Sequence, residues 1–401
     1  MRTFFSVSVS ILLLLGLESS SHAETLDLKR LLKNGGVRVE REDGSALLRY
    51  RDTESFVPAS ILKLATSFCA LENLGRDFRF ATTFYRGSGN TLYIRGSGDP
   101  SLVSEELNEV AVKLAALAPR VTRIVIDPSL FSSDIDIDGS STSLNPYDSK
   151  VAAFVGNFSS AALMRRKDGT IISAEPQTPL TPLSRQAGMK LKRGTSERIN
   201  LGHTWRVGTQ YGGELLGEFL KRAGASGAMT VEIGSIPEDA TKIYEHQSSK
   251  NLAEISQGLL KYSTNFTANQ IFLTLGIKKY GAPATVEKSQ RAMTECLERK
   301  AGWKNFYIEE GSGLSRKNSV SPTQMTQLLK HFEPYQDLLN VEDGFAAKTG
   351  SLRGVNTLAG YFEIAPAYNV RFAILVNSDV EHSYKFKVAR VLREHLRSSA
   401  Q

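Results

Sequence analysis

After Pro58, apolar side chains recur at Ile61, Leu64, Ala65, Phe68 and Leu71, and Gly75 ends the run. This spacing predicts a helix opened by proline and stopped by glycine. The helix is apolar on most sides, so it is buried and the rest of the chain has to wrap around it. The material for that wrapping is present. The 401 residues are 41% hydrophobic and 23% charged, an ordinary globular balance that excludes disorder, collagen and coiled coil for the chain as a whole. With two Cys, the chain is no disulfide-rich scaffold.

Three regions differ in character. Residues 1–23 carry Arg2, an apolar run from Phe4 to Leu17, and Ser21-His22-Ala23 with small residues at −3 and −1. This pattern predicts a signal peptide cleaved after Ala23, since the run is shorter than the roughly 20 residues of a spanning helix. Cleavage removes Arg2 and Glu18 and leaves the net charge at +7. The expected mature chain, 24–401, is exported to the periplasm and has no integral membrane span.

Within it, Val37–Arg41 and Ala46–Tyr50 alternate around Asp43-Gly44, which predicts a β-hairpin. Residues 81–239 hold short strand-like runs (Thr91–Ile94, Ile124–Ile126) among Gly, Ser and Pro turns, and read as a β-rich insertion. Helical periodicity returns from about 250. The C-terminal part reads as strands at 345–350, 355–364 and 370–377, with a turn at Pro366, then an amphipathic helix at 383–397.

Chemistry concentrates at three motifs. Ser60-Ile61-Leu62-Lys63 is the sole Ser-x-x-Lys and opens the buried helix. Its serine and lysine share one face, at the helix end with free N–H groups and partial positive charge. A serine hydroxyl needs a base to become a nucleophile, and a desolvated lysine near other cations can lose its proton near neutral pH. Lys63 is therefore the candidate base for Ser60. Lys348-Thr349-Gly350 is the sole Lys-Thr-Gly and lies on a predicted strand followed by Ser351. A cation and a hydroxyl at a sheet edge can dock a carboxylate while the strand pairs with a peptide, and Gly350 admits close approach.

Four Ser-x-Asn triplets exist, at Ser88, Ser143, Ser249 and Ser263. Ser263-Thr264-Asn265 is singled out because it interrupts two helical stretches between the other motifs. There Ser263 could relay a proton to a leaving group and Asn265 could hold a substrate amide.

Ser-x-x-Lys, Ser-x-Asn and Lys-Thr-Gly, in that order, mark the penicillin-recognising serine enzymes. The stretches Phe56–Leu64, Gly96–Leu102, Gly311–Arg316 and Ala347–Leu352 narrow the match. The chain resembles the low-molecular-mass class C penicillin-binding proteins, the D-alanyl-D-alanine carboxypeptidase/endopeptidase family, from about residue 25 to 395. The resemblance implies an α+β fold. A transpeptidase/β-lactamase-like domain, an antiparallel sheet flanked by helices, takes 24–80 and 240–401, and the β-rich inserted domain takes 81–239.

It also implies that Ser60 is acylated, that Lys63 deprotonates it, and that Lys348 and Thr349 bind the carboxylate beside the scissile bond. Backbone N–H groups of Ser60 and Ser351 would form the oxyanion hole, Ser351 entering only as a backbone donor. The implied substrates are D-Ala-D-Ala ends and D-Ala-diaminopimelate crosslinks of peptidoglycan stems. β-Lactams would be covalent inhibitors, and no cofactor or metal would be needed. Thr264 and Glu310 stand where the family usually has aspartate, and the insertion is short for the family, which implies one subdomain or a reduced pair and a more open cleft. A serine β-lactamase and a non-catalytic wall-binding or sensor module share the same motifs and remain the alternatives.

Other features carry less. Asp134-Ile135-Asp136-Ile137-Asp138-Gly139 starts like a calcium loop, but its twelfth position is Asn145 and isoleucines separate the aspartates, so it reads as a solvated acidic turn, or as a contact for a cationic substrate group. The basic residues are scattered rather than striped, which argues for attraction to wall polymers or acidic lipid heads over nucleic acid. Cys69 and Cys296 fall in one predicted domain of an exported chain. A disulfide is permitted, with separate core thiols the preferred reading.

Overall fold

The computed structural model describes residues 26–365 and 368–399. The expected signal peptide and the expected turn at Pro366 lie outside the described residues. No helix among the described residues is long and apolar enough to cross a membrane.

The hairpin and the C-terminal strands share one antiparallel sheet of six strands. Its order is Val341–Glu342, Phe345–Leu352, Val355–Ala365, Tyr368–Val376, Gly35–Glu40 and Ala46–Tyr50. Val355–Ala365 is buried almost without interruption, because helices cover both faces of the sheet there. On one face, Val388 and Leu392 of helix Tyr384–Ser399 pack with Val37, Leu358 and the mutually tilted rings of Phe345, Phe362 and Phe372.

The opposite face carries helix Pro322–Phe332 and, beyond it, the predicted central helix, Lys63–Leu74, in which every residue from Lys63 to Leu71 is buried. The α-helix begins at Lys63, later than the sequence spacing suggests. A 3-10 turn, Ala59–Leu62, precedes it.

A buried ion network ties the chain's two ends together. Arg371, 2% exposed, pairs with Glu40 at 3.2 Å and Glu333 at 2.6 Å, and donates to the carbonyls of Arg41 and Glu42. Glu40 also takes Arg38, which reaches Asp52. The network links Gly35–Glu40 to Tyr368–Val376, and losing either Glu40 or Arg371 would leave the other's buried charge without its partner.

Residues 81–247 form a second body of structure. Its five-stranded sheet runs Thr241–Gln247, Ala81–Gly87, Thr91–Arg95, Arg123–Asp127, Thr230–Ile233. The last three strands are parallel, and parallel neighbours need crossovers. Helices Ser104–Leu117 and Trp205–Arg222 lie in those crossovers. The strands expected here are present, together with helices that the sequence reading did not name. A three-stranded sheet, Ile171–Ser173, Ser160–Arg165 and Thr195–Asn200, shares the same core through Leu163, Ile199 and Leu215. The first and last strands pair, Ala81 opposite Gln247, so the chain leaves and re-enters at one place.

Gln270, buried on helix Asn265–Tyr280, donates to the carbonyls of Gly98 and Ala152, both at 3.0 Å. It thereby pins the 96–102 turn and the 151–155 segment against the central helices.

Cys69 and Cys296 are joined in a disulfide, which corrects the reading of them as separate thiols. Cys69 lies on the central helix and Cys296 on helix Val286–Ala301, and their sequence separation is 227. Sequence spacing cannot register such a contact, because packing of the two helices creates it. Closing so long a loop restricts the unfolded chain. Replacing both cysteines by alanine is expected to lower the unfolding free energy by about 2–5 kcal/mol in a urea titration. An unchanged midpoint would show that the link adds nothing.

Candidate active site

The site is assembled at the start of the central helix. Ala59 holds a left-handed backbone (φ 50°) and turns the chain into the 3-10 segment. In a 3-10 turn, side chains at i and i+3 eclipse, which stacks Lys63 directly over Ser60. Their Nζ–Oγ distance is 2.8 Å. Lys63 is fully buried and also reaches Asn265 Oδ1 at 2.9 Å and the Ser312 carbonyl at 2.7 Å.

This set of partners has a chemical consequence. The Asn265 and Ser312 oxygens can only accept. A neutral amine has two N–H groups and one lone pair, so those oxygens take both hydrogens and the lone pair faces Ser60 Oγ. Burial pushes the Lys63 pKa well below its ordinary value, the charge of Lys348 pushes it further down, and Glu310 opposes both. The arrangement can therefore accept the Ser60 proton.

Asn265 opens helix Asn265–Tyr280, and its Nδ2 lies 3.5 Å from the Tyr147 carbonyl, so the amide spans from Lys63 to the 145–148 turn. Ser263 ends helix Leu252–Tyr262 in a left-handed conformation (φ 60°, ψ 34°). It is half-buried beside Asn265 and is not among the bonding partners of Lys63. Thr264 caps Asn265–Tyr280 with its backbone and makes no side-chain cap bond.

The Gly311–Arg316 loop entered the sequence reading only as a marker, yet it closes the site. Gly313 has φ 81°, and a Cβ there would lie 1.9 Å from the Ala59 carbonyl oxygen. Glu310 is fully buried and accepts from Ser312 N at 2.7 Å, Ser312 Oγ at 2.6 Å, Asn318 Nδ2 at 2.9 Å and Ser315 N at 3.3 Å. The carboxylate thus holds the loop in the shape that points the Ser312 carbonyl at Lys63. Thr66, one turn beyond Lys63, donates to the Gly311 carbonyl at 2.6 Å.

Lys348 and Gly350 are buried on one face of strand Phe345–Leu352, which packs against the 3-10 turn Ala59–Leu62. Packing alone requires a glycine at 350. A Cβ there would meet Thr357 Oγ1 at 2.2 Å and both Pro58 O and Ser60 N at 2.9 Å. Thr357 in turn donates to the Pro58 carbonyl at 2.7 Å. Lys348 is 2% exposed and its Nζ donates to the Thr349 carbonyl at 2.9 Å. Burial lowers its pKa to about 8, with Lys385 adding to the shift and Glu342 opposing it. Thr349 and Ser351 lie half-buried on the other face of the strand. Ser351 is more than a backbone position, because its Oγ receives a hydrogen bond from Lys385.

The acidic turn at 134–139 is bonded rather than merely solvated. Asp138 takes Ser315 Oγ and Lys317, Asp136 takes Lys150, and Gly139 packs on the Leu314 carbonyl. Among the described residues no cluster of three or more His, Cys, Asp or Glu could hold a metal.

A family model described as "D-Ala-D-Ala carboxypeptidase 3 (S13) family" matches residues 20–187, 190–346 and 339–395. The D-alanyl-D-alanine carboxypeptidase of Actinomadura sp. (strain R39) is 26% identical over 425 residues, 86% of this chain and 77% of the relative. The crystal structure of penicillin binding protein 4 (dacB) from Haemophilus influenzae covers 94% of this chain and 99% of its own, with TM-score 0.73 and 21% identity. Bd3459, a predatory peptidoglycan endopeptidase from Bdellovibrio bacteriovorus, covers 91% of each chain, with TM-score 0.54 and 15% identity.

The contacts around Gly350 generate a stability prediction. Gly350→Ala is expected to cost about 1–3 kcal/mol, read as a lowered melting temperature, because helix and strand cannot both stay in place. Unaltered melting would mean that the site tolerates the extra methyl.

Proposed function

The chain belongs to the D-Ala-D-Ala carboxypeptidase 3 (S13) family, and from that premise we propose a serine D,D-peptidase that works through an acyl-enzyme on Ser60. A catalytic unit of residues 24–80 and 248–401 would act beside an inserted unit, 81–247, in the periplasm; the expected boundary at 239 moves because strand Thr241–Gln247 pairs with Ala81–Gly87. The observation that carries the mechanism is the fully buried Lys63 Nζ, 2.8 Å from Ser60 Oγ with both its N–H directions already taken.

In the proposed reaction, Ser60 Oγ attacks the carbonyl carbon of the penultimate D-alanine while its proton passes to Lys63. The developing oxyanion meets the N–H groups of Ser60 and Ser351. The C–N bond then breaks, and the leaving amine takes a proton through Ser263. Asn265 orients the substrate amide. Water finally hydrolyses the Ser60 ester. A terminal D-Ala-D-Ala has its carboxylate on the carbon next to the scissile nitrogen, and so does a D-Ala-diaminopimelate crosslink. One docking point at Thr349, under the positive potential of Lys348, would therefore serve both trimming and crosslink cleavage. β-Lactams, which mimic the D-Ala-D-Ala end, would acylate Ser60.

The deciding experiment is a digest of purified muropeptides, pentapeptide monomers with D,D-crosslinked dimers, read by mass spectrometry. Release of D-alanine and conversion of dimers to monomers, both abolished by Ser60→Ala, are expected. If neither species changed with folded protein, the peptidase reading would be abandoned; rapid turnover of a penicillin in place of a lasting adduct would then point to a β-lactamase.

The pH dependence has a sign fixed by the two lysines. Lys63 must be unprotonated, so acylation rises with pH through its lowered pKa. Lys348 must be protonated, so acylation falls as pH passes about 8. A bell-shaped rate of labelling by a fluorescent penicillin is expected. A rate that kept rising well above pH 8 would remove the requirement for a charged Lys348.

A further inference from the structure

Three lysine side chains, Lys63, Lys348 and Lys385, are buried around the site, and none of them is in an ion pair among the described residues. Lys63 is spoken for by its base chemistry. Lys385 took no part in the sequence motifs. It lies in the first turn of helix Tyr384–Ser399, where the sequence shows only an amphipathic pattern. Its side chain is nonetheless wholly buried, with Nζ 2.5 Å from Ser351 Oγ and 3.4 Å from the Gly350 carbonyl.

The residue is held firmly. Its backbone N–H donates to Asn356 Oδ1 at 3.0 Å, and Asn356 Nδ2 donates to the carbonyls of Glu381 and His382. Asn356 itself stands opposite Ser351 across the strand ladder.

A buried cation without an ion-pair partner is costly, and the cost falls when an anion arrives. The hydroxyl of Ser351 decides where that anion can bind. A hydroxyl has one hydrogen to give and two lone pairs to receive with. Lys385 donates into a lone pair, which leaves the Ser351 hydrogen to point away from Lys385. The other group near Ser351 Oγ is His382 Nδ1, at a long 3.4 Å. A carboxylate arriving on the exposed side of Ser351 would receive a hydroxyl hydrogen polarised by an ammonium directly behind it.

We propose that Lys385 is a positioning residue for substrate recognition: through Ser351 Oγ it supplies the charge that makes this site select a peptide ending in a free carboxylate over the same peptide without one. The inference rests on the D,D-peptidase reading and extends it to a residue outside the three motifs. Its electrostatic surroundings are Glu342 from the neighbouring hairpin, Lys348 on the same strand as Ser351, and His382 just before the helix. Burial lowers the Lys385 pKa to about 8, Glu342 opposing, and its charge lowers that of Lys348 in turn.

The test compares two substrates, an acyl-D-Ala-D-Ala peptide and the same peptide ending in a carboxamide, with wild type, K385M, S351A and the double variant. For the carboxylate peptide, K385M is expected to raise KM by about 10- to 100-fold, the range of a hydrogen bond to a charged group. The carboxamide peptide should change little. The double variant should be no worse than either single one, because both interrupt the same relay. In K385M the alkaline limb for the carboxylate peptide should also move to higher pH, since Lys348 loses a like-charged neighbour.

Equal losses on both peptides, or losses that multiply in the double variant, would overturn the proposal. Should K385M fail to fold, K385Q keeps a donor to Ser351 without the charge and is expected to lose the same preference for carboxylate; retained preference would overturn it equally. If wild type released neither D-alanine from the carboxylate peptide nor D-alaninamide from the carboxamide peptide, the peptidase reading itself would fall, an outcome distinct from wild-type turnover with an indifferent Lys385.

Discussion

Burying the Lys63 amine inside the molecule sets terms that distant parts of the chain have to meet. An ammonium there would need anionic partners, whereas an amine needs only two acceptors and a donor. The acceptors arrive from different places, Asn265 from a helix that begins after residue 247 and the Ser312 carbonyl from a loop still further along. Each supplier is itself held: Gln270 anchors the first helix to the 96–102 turn, and Glu310 shapes the loop. The low proton affinity of Lys63 is thus a property of several packed segments rather than of one side chain.

Close backbone approach is the second requirement. Gly313 and Gly350 press on Ala59 and Ser60 from two directions, with no room for a methyl group at either position. Ala59 takes a left-handed conformation between them, a cost that the surrounding packing sustains. Both glycines belong to short motifs that sequence comparison would treat as functional. Their immediate reason is steric, since they let a loop and a strand close on Ala59 and Ser60.

The sequence disclosed what is local. Alternation about Asp43-Gly44, periodicity after Pro58 and the C-terminal strand runs all reappear in the six-stranded sheet and its central helix. The Ser60–Lys63 contact was legible because the partners stand three positions apart. What stayed hidden depends on chain segments meeting in space. Helix Trp205–Arg222 contains Gly208, Gly212, Gly213 and Gly217, which weaken its helical pattern; in the structure Gly208, Gly212 and Gly213 fit tightly against Ser159, Gly156 and Val231. Helix Ser104–Leu117 did carry a signal, with Leu107, Val110, Ala111 and Leu114 at helical spacing, but turn residues around it drew the reading towards strands. Lys385 looked like one more cation on an amphipathic helix, and only its bond to Ser351 distinguishes it.

The Cys69–Cys296 bond encircles the whole stretch from the central helix to helix Val286–Ala301. Ser60 precedes that ring, Lys348 follows it, and the entire 81–247 body lies within it. A single backbone cut anywhere inside the ring therefore opens the circle without releasing a fragment. The two polypeptides would stay tied at the central helix, which begins three positions after Ser60. Such a nick would be a scar rather than a severance, repaired in effect by a covalent knot already in place.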